Sequence, residues 1–306
     1  MVLNIKNRPQ KRLDIAVPLI LGAALFMALM AVMVKLGASL NLTTPSMVFW
    51  RNFVSLGMLW PWIQWGPPQK PIVQKLRTNH WHLHWIRGTS SFFSVSLYFL
   101  SIQFLDLASA TVLFNTIPIF VPLVAYIWKK LPIHHCLWWA IGIAFGGILL
   151  VLQPGTNIVH WASLVALLSG ILGAISVVSL RLGHYSENAG TMLFYLFGFC
   201  LFWAVLFTIF SFDQSWSHFS WTQLKIFIPL GIFGFSYQLL LTFSTKFAPI
   251  RLLSPFLYVA VIFTIVFDRV IWGISLSLFQ LFGFLLIVLG AVLMFFLYPK
   301  DDLKIK

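Results

Sequence analysis

Long apolar stretches follow one another along this chain, with only short polar breaks between them. A helix needs about 20 apolar residues to cross the hydrocarbon core of a bilayer, and ten stretches of about that length are present. The predicted spans lie at residues 14–37, 44–65, 83–104, 107–128, 135–153, 160–180, 189–210, 221–243, 249–271 and 276–298. Most connections are too short to form an extramembrane domain. The pattern therefore predicts an all-α polytopic membrane protein with ten transmembrane helices.

Composition supports this prediction. Of the 306 residues, 60% are hydrophobic and 9% are charged, and the mean hydropathy is +0.92, values outside the range of soluble domains. The first apolar run is too long for the core of a cleaved signal peptide, so we expect it to be a retained helix. The two cysteines, Cys136 and Cys200, indicate neither a disulfide framework nor a metal site.

The positive charge is distributed unevenly between the two predicted faces of the membrane. If the N-terminus is cytoplasmic and ten spans alternate, sixteen of the 20 Lys and Arg residues fall on the cytoplasmic side. The other four, Lys35, Arg51, Lys225 and Arg269, lie inside spans or at their outer ends. This asymmetry predicts a multi-pass protein of the cytoplasmic (inner) membrane with both termini in the cytoplasm. The net charge of +13 is thus explained by topology and by attraction to anionic lipid headgroups, and we expect no nucleic-acid partner.

The second half of the chain is a weak copy of the first. A shift of 143 residues aligns the two halves. The paired positions include Ser101 with Ser244, Thr111 with Ser254, Asn115 with Tyr258, and Gly147 with Gly290. Five is an odd number of spans, so the second copy should enter the membrane from the opposite side. We predict two five-helix inverted repeats, residues 1–153 and 154–306, an arrangement found in transporters with two related gates around one central site.

Several short segments resemble a known family in their order and spacing. They are Phe49-Trp50-Arg51, Trp85-Ile86-Arg87-Gly88, Tyr98-Phe99-Leu100-Ser101, Pro118 with its apolar run, Ala144-Phe145-Gly146-Gly147-Ile148-Leu149-Leu150, Ala248-Pro249, Ser254-Pro255-Phe256-Leu257-Tyr258 and Gln280-Leu281-Phe282-Gly283. Over about residues 14–298 the chain resembles the EamA-type carriers of the drug/metabolite transporter superfamily. The resemblance implies two five-helix inverted repeats around a central polar cavity that moves small metabolites. Many relatives carry a Gly-Glu pair after spans four and nine, and here Lys129-Lys130-Leu131 and Trp272-Gly273-Ile274 stand in those places.

The titratable residues avoid the middle of the predicted spans. The acidic residues are Asp14, Asp106, Glu187, Asp213, Asp268, Asp301 and Asp302. None of them, and none of the eight histidines, lies at mid-span, where pumps usually carry protons or cations. This argues against a cationic-drug antiporter built around a membrane carboxylate. The alternatives are a uniporter, an exchanger, or coupling through groups nearer the surfaces.

The segment from His80 to His84 invites a metal-site interpretation. If the segment were extended, the three imidazoles of His80, His82 and His84 would share one side. No carboxylate or cysteine is near in sequence, however, and Trp81 and Trp85 are typical of a membrane interface. We favour interfacial anchoring, and we predict no metal and no cofactor.

Polar side chains recur at helical spacing inside several spans. The candidate substrate-binding residues are Arg51, Ser94, Tyr98, Thr111, Asn115, Gln238, Ser254 and Tyr258. In span four, Thr111, Asn115, Pro118 and Pro122 would form one stripe of a helix. Such faces should point inward, because a lipid-facing Asn or Gln is costly unless paired. The alternative is that Ser and Thr bond their own backbone carbonyls while Asn115 and Gln238 join neighbouring helices. The prolines either expose carbonyls to a substrate or kink the helices.

Arg51 is the only basic residue well inside a span. Its guanidinium is suited to bind a substrate carboxylate or phosphate. The alternatives are that it reaches the external headgroups or pairs with Asp106 or Asp268. Lys35 lies nearer the predicted surface, and we expect it to be an anchor.

Small residues make one side of spans five and ten narrow. In span five these are Ala140, Gly142, Ala144, Gly146 and Gly147, and in span ten they are Gly283, Gly290 and Ala291. Such faces let helices approach closely. They indicate either packing between the halves or a homodimer interface.

These features together favour a secondary transporter of small polar metabolites over an enzyme. No phosphate-cradling Gly-x-x-x-x-Gly-Lys motif is present, so we expect no direct use of ATP. The rival class is a membrane-embedded enzyme on lipid-linked substrates with interfacial histidines as bases, which here lack carboxylate partners. Arg51 without a mid-membrane acid favours a neutral, zwitterionic or anionic solute. Amino acids are the first expectation, and nucleoside-like metabolites, including S-adenosylmethionine, are the second.

Overall fold

All regular secondary structure in the described part of the chain is helical. The computed structural model describes residues 12–65, 76–78, 80–130, 135–152, 161–183, 188–210, 221–248 and 253–297, and no strand occurs among them. The α-helices are α1 (Leu13–Ser39), α2 (Thr44–Trp65), α3 (Trp81–Phe104), α4 (Leu107–Phe114), α5 (Ile117–Lys129), α6 (His135–Leu152), α7 (Trp161–Gly183), α8 (Ala189–Phe210), α9 (Trp221–Phe247), α10 (Val259–Trp272) and α11 (Leu278–Leu297). A 3₁₀ helix, Ser254–Tyr258, leads directly into α10.

Several of these helices are long and apolar enough to cross a membrane. Within the described residues five segments meet that requirement: Leu13–Ser39, Leu107–Trp128, Trp161–Leu180, Ala189–Phe210 and Trp221–Phe247. Two shorter apolar helices are Leu137–Val151 and Leu278–Leu293. The helices α2 and α3 have comparable lengths, 22 and 24 residues, and α3 contains five serines and Arg87.

The fourth predicted span is interrupted in its middle. Helix α4 ends at Phe114, residues 115 and 116 form a turn, and α5 begins at Ile117. Pro118 lies in the first turn of α5, where it has no N–H to continue the hydrogen-bond ladder of α4. The Thr116 hydroxyl donates instead to the Leu113 carbonyl at 2.6 Å. The prediction of one continuous stripe through Thr111, Asn115, Pro118 and Pro122 is therefore wrong, because the helix is broken within it.

Two carboxylates hold the start of α4. Asp106 is the N-cap residue, and its carboxylate accepts from the Ser109 N–H at 2.7 Å. The Asp268 carboxylate, which belongs to α10, accepts from the Ala108 N–H at 2.9 Å. Two of the N–H groups that a helix start leaves without an internal partner are thereby satisfied.

The repeat is visible in local geometry at the predicted register. Helix α6 begins at His135 and α11 at Leu278, which are 143 residues apart. The helices before them, α5 and α10, are followed directly by Lys130 and Gly273, which both take a left-handed conformation with φ of 52° and 68°. These two residues make the turns at the places where many relatives carry a Gly-Glu pair. Gly273 adopts this conformation without strain, whereas Lys130 does so at some cost.

The two halves are interleaved. Helix α3 packs along α7, α1 along α9, α6 against α11 and α2 against α8, so each of these pairs joins one half to the other. The same exchange appears in detail at Gly88 and Gly231, which are equivalent under the repeat. An added Cβ at Gly88 would overlap the Phe199 side chain, and one at Gly231 would overlap Val54. The first half therefore cannot bury its apolar faces without the second.

The two halves also approach each other closely through the backbones of α6 and α11. A Cβ at Gly147 would lie 2.6 Å from the Gly283 carbonyl oxygen, and a Cβ at Gly290 would lie 2.6 Å from the Ala144 Cβ. These small residues therefore pack the halves together. Gly142 on the same helix has open space within 4 Å, as does Gly146, so a homodimer through that second face stays a prediction.

Candidate functional site

Arg51 on α2 lies in the protein interior, with 2% of its surface exposed. Its Nε–H donates to the Met30 sulfur at 3.4 Å, and Nη1 donates to the Asn52 side-chain oxygen at 3.2 Å. The Asn52 amide is fixed in turn because it donates to the Val48 carbonyl at 2.8 Å. Nη2 is buried and has no hydrogen-bond partner. The N–H groups of Nη2 are thus the donors of the guanidinium that have no partner.

Neither candidate acid neutralises Arg51. Asp268 is bound to Lys35 at 3.1 Å and to the Ala108 N–H, and Asp106 caps α4. The alternatives that Arg51 pairs with one of these acids or reaches the headgroups are therefore wrong. Lys35 is also not a surface anchor, because its ammonium is held by the 2%-exposed side chain of Asp268.

A glycine on α9 makes room for the guanidinium. A Cβ at Gly234 would lie 2.8 Å from Nε of Arg51 and 3.0 Å from its Cγ, so a larger residue there would displace the side chain. Tyr237, three residues further along α9, and Cys200 on α8 are buried and close enough to interact electrostatically with Arg51. Four helices, α1, α2, α8 and α9, therefore enclose this group.

Tyr98 and Thr111 are brought together as a pair. Their hydroxyls are 2.8 Å apart, and both residues are fully buried. The Tyr98 ring stacks on Phe114 at 4.4 Å, at the end of α4. Tyr237 lies near Tyr98 and also near Arg51. A band of polar side chains thus extends from α2 through α9 and α3 to α4.

The two repeat-related candidates share an unusual state. Asn115 follows α4 at the helix break, and its Nδ2 is buried without a hydrogen-bond partner. Tyr258 is the last residue of the 3₁₀ helix and directly precedes α10, and its hydroxyl is likewise buried and unpaired. Both residues are at most 4% exposed. Buried polar atoms normally have a partner, so two equivalent exceptions, one at a helix break and one where a 3₁₀ helix passes into α10, require an explanation.

The other candidates are in more ordinary surroundings. The Ser94 hydroxyl donates to the Ser169 carbonyl at 2.7 Å and joins α3 to α7. Gln238 is half-buried on α9. The backbone of Ser254 lies in the 3₁₀ helix, but its side chain is outside the described residues. Ser94 therefore matches the alternative of a contact between helices.

Sequence reasoning missed three residues of this region. Asn52 orients the guanidinium, Gly234 makes space for it, and Tyr237 lies between Arg51 and Tyr98. Tyr237 was detectable, since the shift of 143 residues places it on Ser94, which is a candidate. Asn52 was not, because an amide one residue from an arginine carries no pattern of its own.

The histidine segment does not form the extended array that a metal site there requires. Helix α3 begins at Trp81, so the alternation of side chains expected of a strand is absent. His84 is buried and its ring stacks on Tyr195 at 4.7 Å. Within the described residues no group of three His, Cys, Asp or Glu side chains has the arrangement of a metal site.

Comparison with known proteins gives one family and one fold. The EamA-like transporter family matches residues 14–153 and again residues 160–296. One solved crystal structure of a protein superposes with a TM-score of 0.60 at 17% sequence identity, covering 94% of this chain and 98% of the other. At that identity the likeness concerns the fold alone. No curated protein matches.

Proposed function

Because this chain belongs to the EamA-like transporter family, and is therefore a membrane transporter of the drug/metabolite transporter superfamily, we propose that it moves small polar metabolites by alternating access. The polar band, together with the helix break at Asn115 and the junction of the 3₁₀ helix with α10 at Tyr258, forms the transport site. Transport is secondary, without a cofactor, and we propose no catalytic step. The membrane is the cytoplasmic membrane.

We propose that the chain crosses this membrane ten times with both termini in the cytoplasm. The contacts of α1, α4 and α10 support this topology. The Lys35 end of α1, the start of α4 and the Asp268 end of α10 meet through direct bonds, and ten alternating crossings place all three on the outer side. Labelling by a membrane-impermeant thiol reagent tests it. We expect a cysteine at Leu40, which is 45% exposed, to react from outside in intact cells, and one at Lys306 to react only after lysis.

The observation that carries the transport site is the pair of unsatisfied groups on Asn115 and Tyr258. Asn115 lies at the break between α4 and α5, and Tyr258 lies at the junction of the 3₁₀ helix with α10. Transporters with repeats bind substrates at such irregular places in their helices. A solute that supplies hydrogen-bonding atoms there would satisfy both groups. Tyr98, Thr111, Gln238 and Ser254 are proposed as further contacts in the same region. Ser94 is a weaker candidate because its hydroxyl already has a buried acceptor.

Amino acids are the proposed substrates, because their size and polar groups suit a site that combines hydrogen-bonding groups with a buried cation. Nucleoside-like metabolites, including S-adenosylmethionine, are the second proposal. The stacked Tyr98 and Phe114 rings show that aromatic faces lie next to the polar band. Counterflow of radiolabelled solutes into proteoliposomes separates the two classes.

Substitution of the two unpaired groups tests the site. In Asn115→Leu a bound solute loses hydrogen bonds in a desolvated place, so we expect affinity to fall by ~1–3 kcal/mol, or roughly 5- to 150-fold. Tyr258→Phe removes only a hydroxyl and should have a smaller effect. Ser179→Ala is the control, because that buried hydroxyl bonds the Ile175 carbonyl of its own helix. Unchanged counterflow in well-expressed Asn115→Leu and Tyr258→Phe proteins would place the site elsewhere.

A further inference from the structure

We infer that Arg51 is a carboxylate-recognition subsite, so that the solutes this protein prefers carry a carboxylate group. The inference deepens the proposed function and rests on it, since the solute must enter the polar band to reach α2. It concerns the chemistry of one end of the substrate.

Arg51 carries a buried positive charge. A guanidinium stays protonated in proteins, and a buried charge is unfavourable unless it is paired. Arg51 is 2% exposed, and among the described residues no carboxylate lies within ion-pair distance of it. The described acids have other partners, Arg12 for Asp14, Lys35 for Asp268, and the start of α4 for Asp106. An anion that enters the site would therefore compensate a charge that the described part of the protein leaves uncompensated.

The Arg51 guanidinium has hydrogen-bond donors that its neighbours leave unused. Arginine has five N–H donors in a planar fork. Nε–H meets a sulfur, which is a weak acceptor, and Nη1 meets the Asn52 oxygen. Nη2 is buried and unpaired. A carboxylate accepts two parallel hydrogen bonds from such a fork, which a neutral amide oxygen cannot match in charge.

The packing of α2 against α9 holds the Arg51 side chain in place. Helix α2 is held close to α9, because Gly231 admits Val54 and the Ser55 hydroxyl donates to the Gly231 carbonyl at 3.1 Å. Gly234, one turn later, leaves the space that the guanidinium occupies. The side chain is therefore positioned before a ligand arrives, and less ordering is needed on binding.

The repeat does not provide a second copy of the Arg51 site. The repeat-equivalent of Arg51 is Phe194, and the equivalent of Gly234 is Ser91. The repeat-related pair, Phe194 in the second half and Ser91 in the first, thus provides neither the charge nor the space, and these positions form one carboxylate subsite rather than two. A solute would bind in one orientation, with its carboxylate towards Arg51 and its remainder towards Tyr237 and Tyr98.

A panel of matched compounds tests this inference on the purified full chain. Each α-amino acid is paired with its own α-carboxamide, and each simple monocarboxylate with its amide, and ligand-induced shifts of the thermal midpoint are measured. We expect at least one acid to stabilise the wild-type protein in a saturable way while its amide does not. A protein that no acid stabilises more than the matching amide would overturn the inference.

Two variants and a control locate the effect at Arg51. Arg51→Gln should weaken the stabilising acid on the order of 10- to 150-fold and remove the preference for acid over amide. Gly234→Ala keeps the charge but places a methyl group against Nε, so it should weaken the acid as well, and it remains informative if Arg51→Gln does not fold. Arg87→Gln is the control, since Arg87 is also a buried arginine but donates to the Met192 carbonyl. The acid preference should survive there.

The outcomes separate the subsite from the transport function. Counterflow of a neutral solute that is equal in wild type and Arg51→Gln, with no preference for acids, leaves the transporter intact and overturns the subsite. Binding of acids that depends on Arg51, without flux of any solute, supports the subsite and contradicts the proposed transport. Equal acid affinity in wild type, Arg51→Gln and Gly234→Ala overturns the inference outright.

Discussion

At the scale of single residues, the Lys35–Asp268 pair connects three separate helices. Asp268 on α10 binds Lys35 on α1 and the Ala108 N–H at the start of α4. The Lys35 ammonium also lies 4.8 Å from the Trp272 ring. The repeat-equivalents of Lys35 and Asp268 are Val178 and Ala125. The positions related to them by the repeat therefore cannot form this ion pair.

Asp268→Asn is a small change in shape, but it should destabilise the protein strongly. The amide still accepts from Ala108 but leaves the ammonium of Lys35, whose side chain is 15% exposed, without its counter-charge. Removing one partner of a buried pair costs ~3–5 kcal/mol, and we expect the lower end of that range. The thermal midpoint in detergent measures it. The double variant Lys35→Met, Asp268→Asn should recover much of the loss, and a double variant no more stable than Asp268→Asn would contradict this account.

Residue types and their depth were predictable, but their partners were not. The sequence places Arg51 inside a span, and it aligns Asn115 with Tyr258. That Lys35 meets Asp268 depends on how α1 and α10 pack across 233 residues of sequence. Ion pairing of this kind is a property of tertiary contact, and no local pattern records it.

At the scale of elements, the break between α4 and α5 is supported by a glycine of another helix. A Cβ at Gly170 on α7 would lie 2.5 Å from the Thr116 hydroxyl oxygen and 2.8 Å from the Leu113 carbonyl oxygen. The turn thus packs directly on the backbone of α7. The position of the break is set by this contact together with Pro118.

Gly170→Ala should therefore disturb the break. Backbone atoms cannot move aside cheaply, and overpacking of this kind costs ~1–3 kcal/mol. We expect a lower thermal midpoint and, because Asn115 lies at the turn, weaker solute binding. Gly198→Ala on α8 is the control, since no atom lies within 4 Å of its added Cβ. Equal effects of the two substitutions would show that the contact is unimportant.

Helix positions followed well from hydrophobic pattern and length, while the interruption did not. Pro118 gave a signal, but a proline in an apolar span fits both a kinked helix and a break. The decision depended on Thr116, which supplies the hydrogen bond that ends α4, and on Gly170, which is remote in sequence.

At the scale of the whole molecule, the halves meet through the backbones of α6 and α11. Gly147 and Gly290 are related by the repeat, and each lies against the other helix. The sequence predicted the repeat and its register. It did not decide between packing of the halves and a dimer for the small residues, because both need the same composition.

Gly147→Ala should weaken the union of the two halves. Its Cβ would lie 2.6 Å from the Gly283 carbonyl oxygen and 2.8 Å from the Ile287 nitrogen, so the helices must separate. Gly142→Ala lies on the same helix but faces open space, and it should be neutral or stabilise by up to ~1 kcal/mol through helix propensity. Thermal midpoints of the two variants measure the difference. A Gly142→Ala protein as unstable as Gly147→Ala would show that the effect is one of the helix alone.

The uncompensated guanidinium on α2 has an electrical consequence. A charge in the interior experiences the membrane potential, which acts with ~2.3 kcal/mol per charge per 100 mV for a complete crossing. When the aqueous opening changes sides, a fixed charge passes from one side of the voltage drop to the other. With a monocarboxylate bound the site is neutral, whereas the empty site is positive. Return of the empty protein should thus respond to voltage, while exchange of one monocarboxylate for another should not. Proteoliposomes clamped with potassium and valinomycin would show this difference as voltage-dependent net flux that disappears in Arg51→Gln.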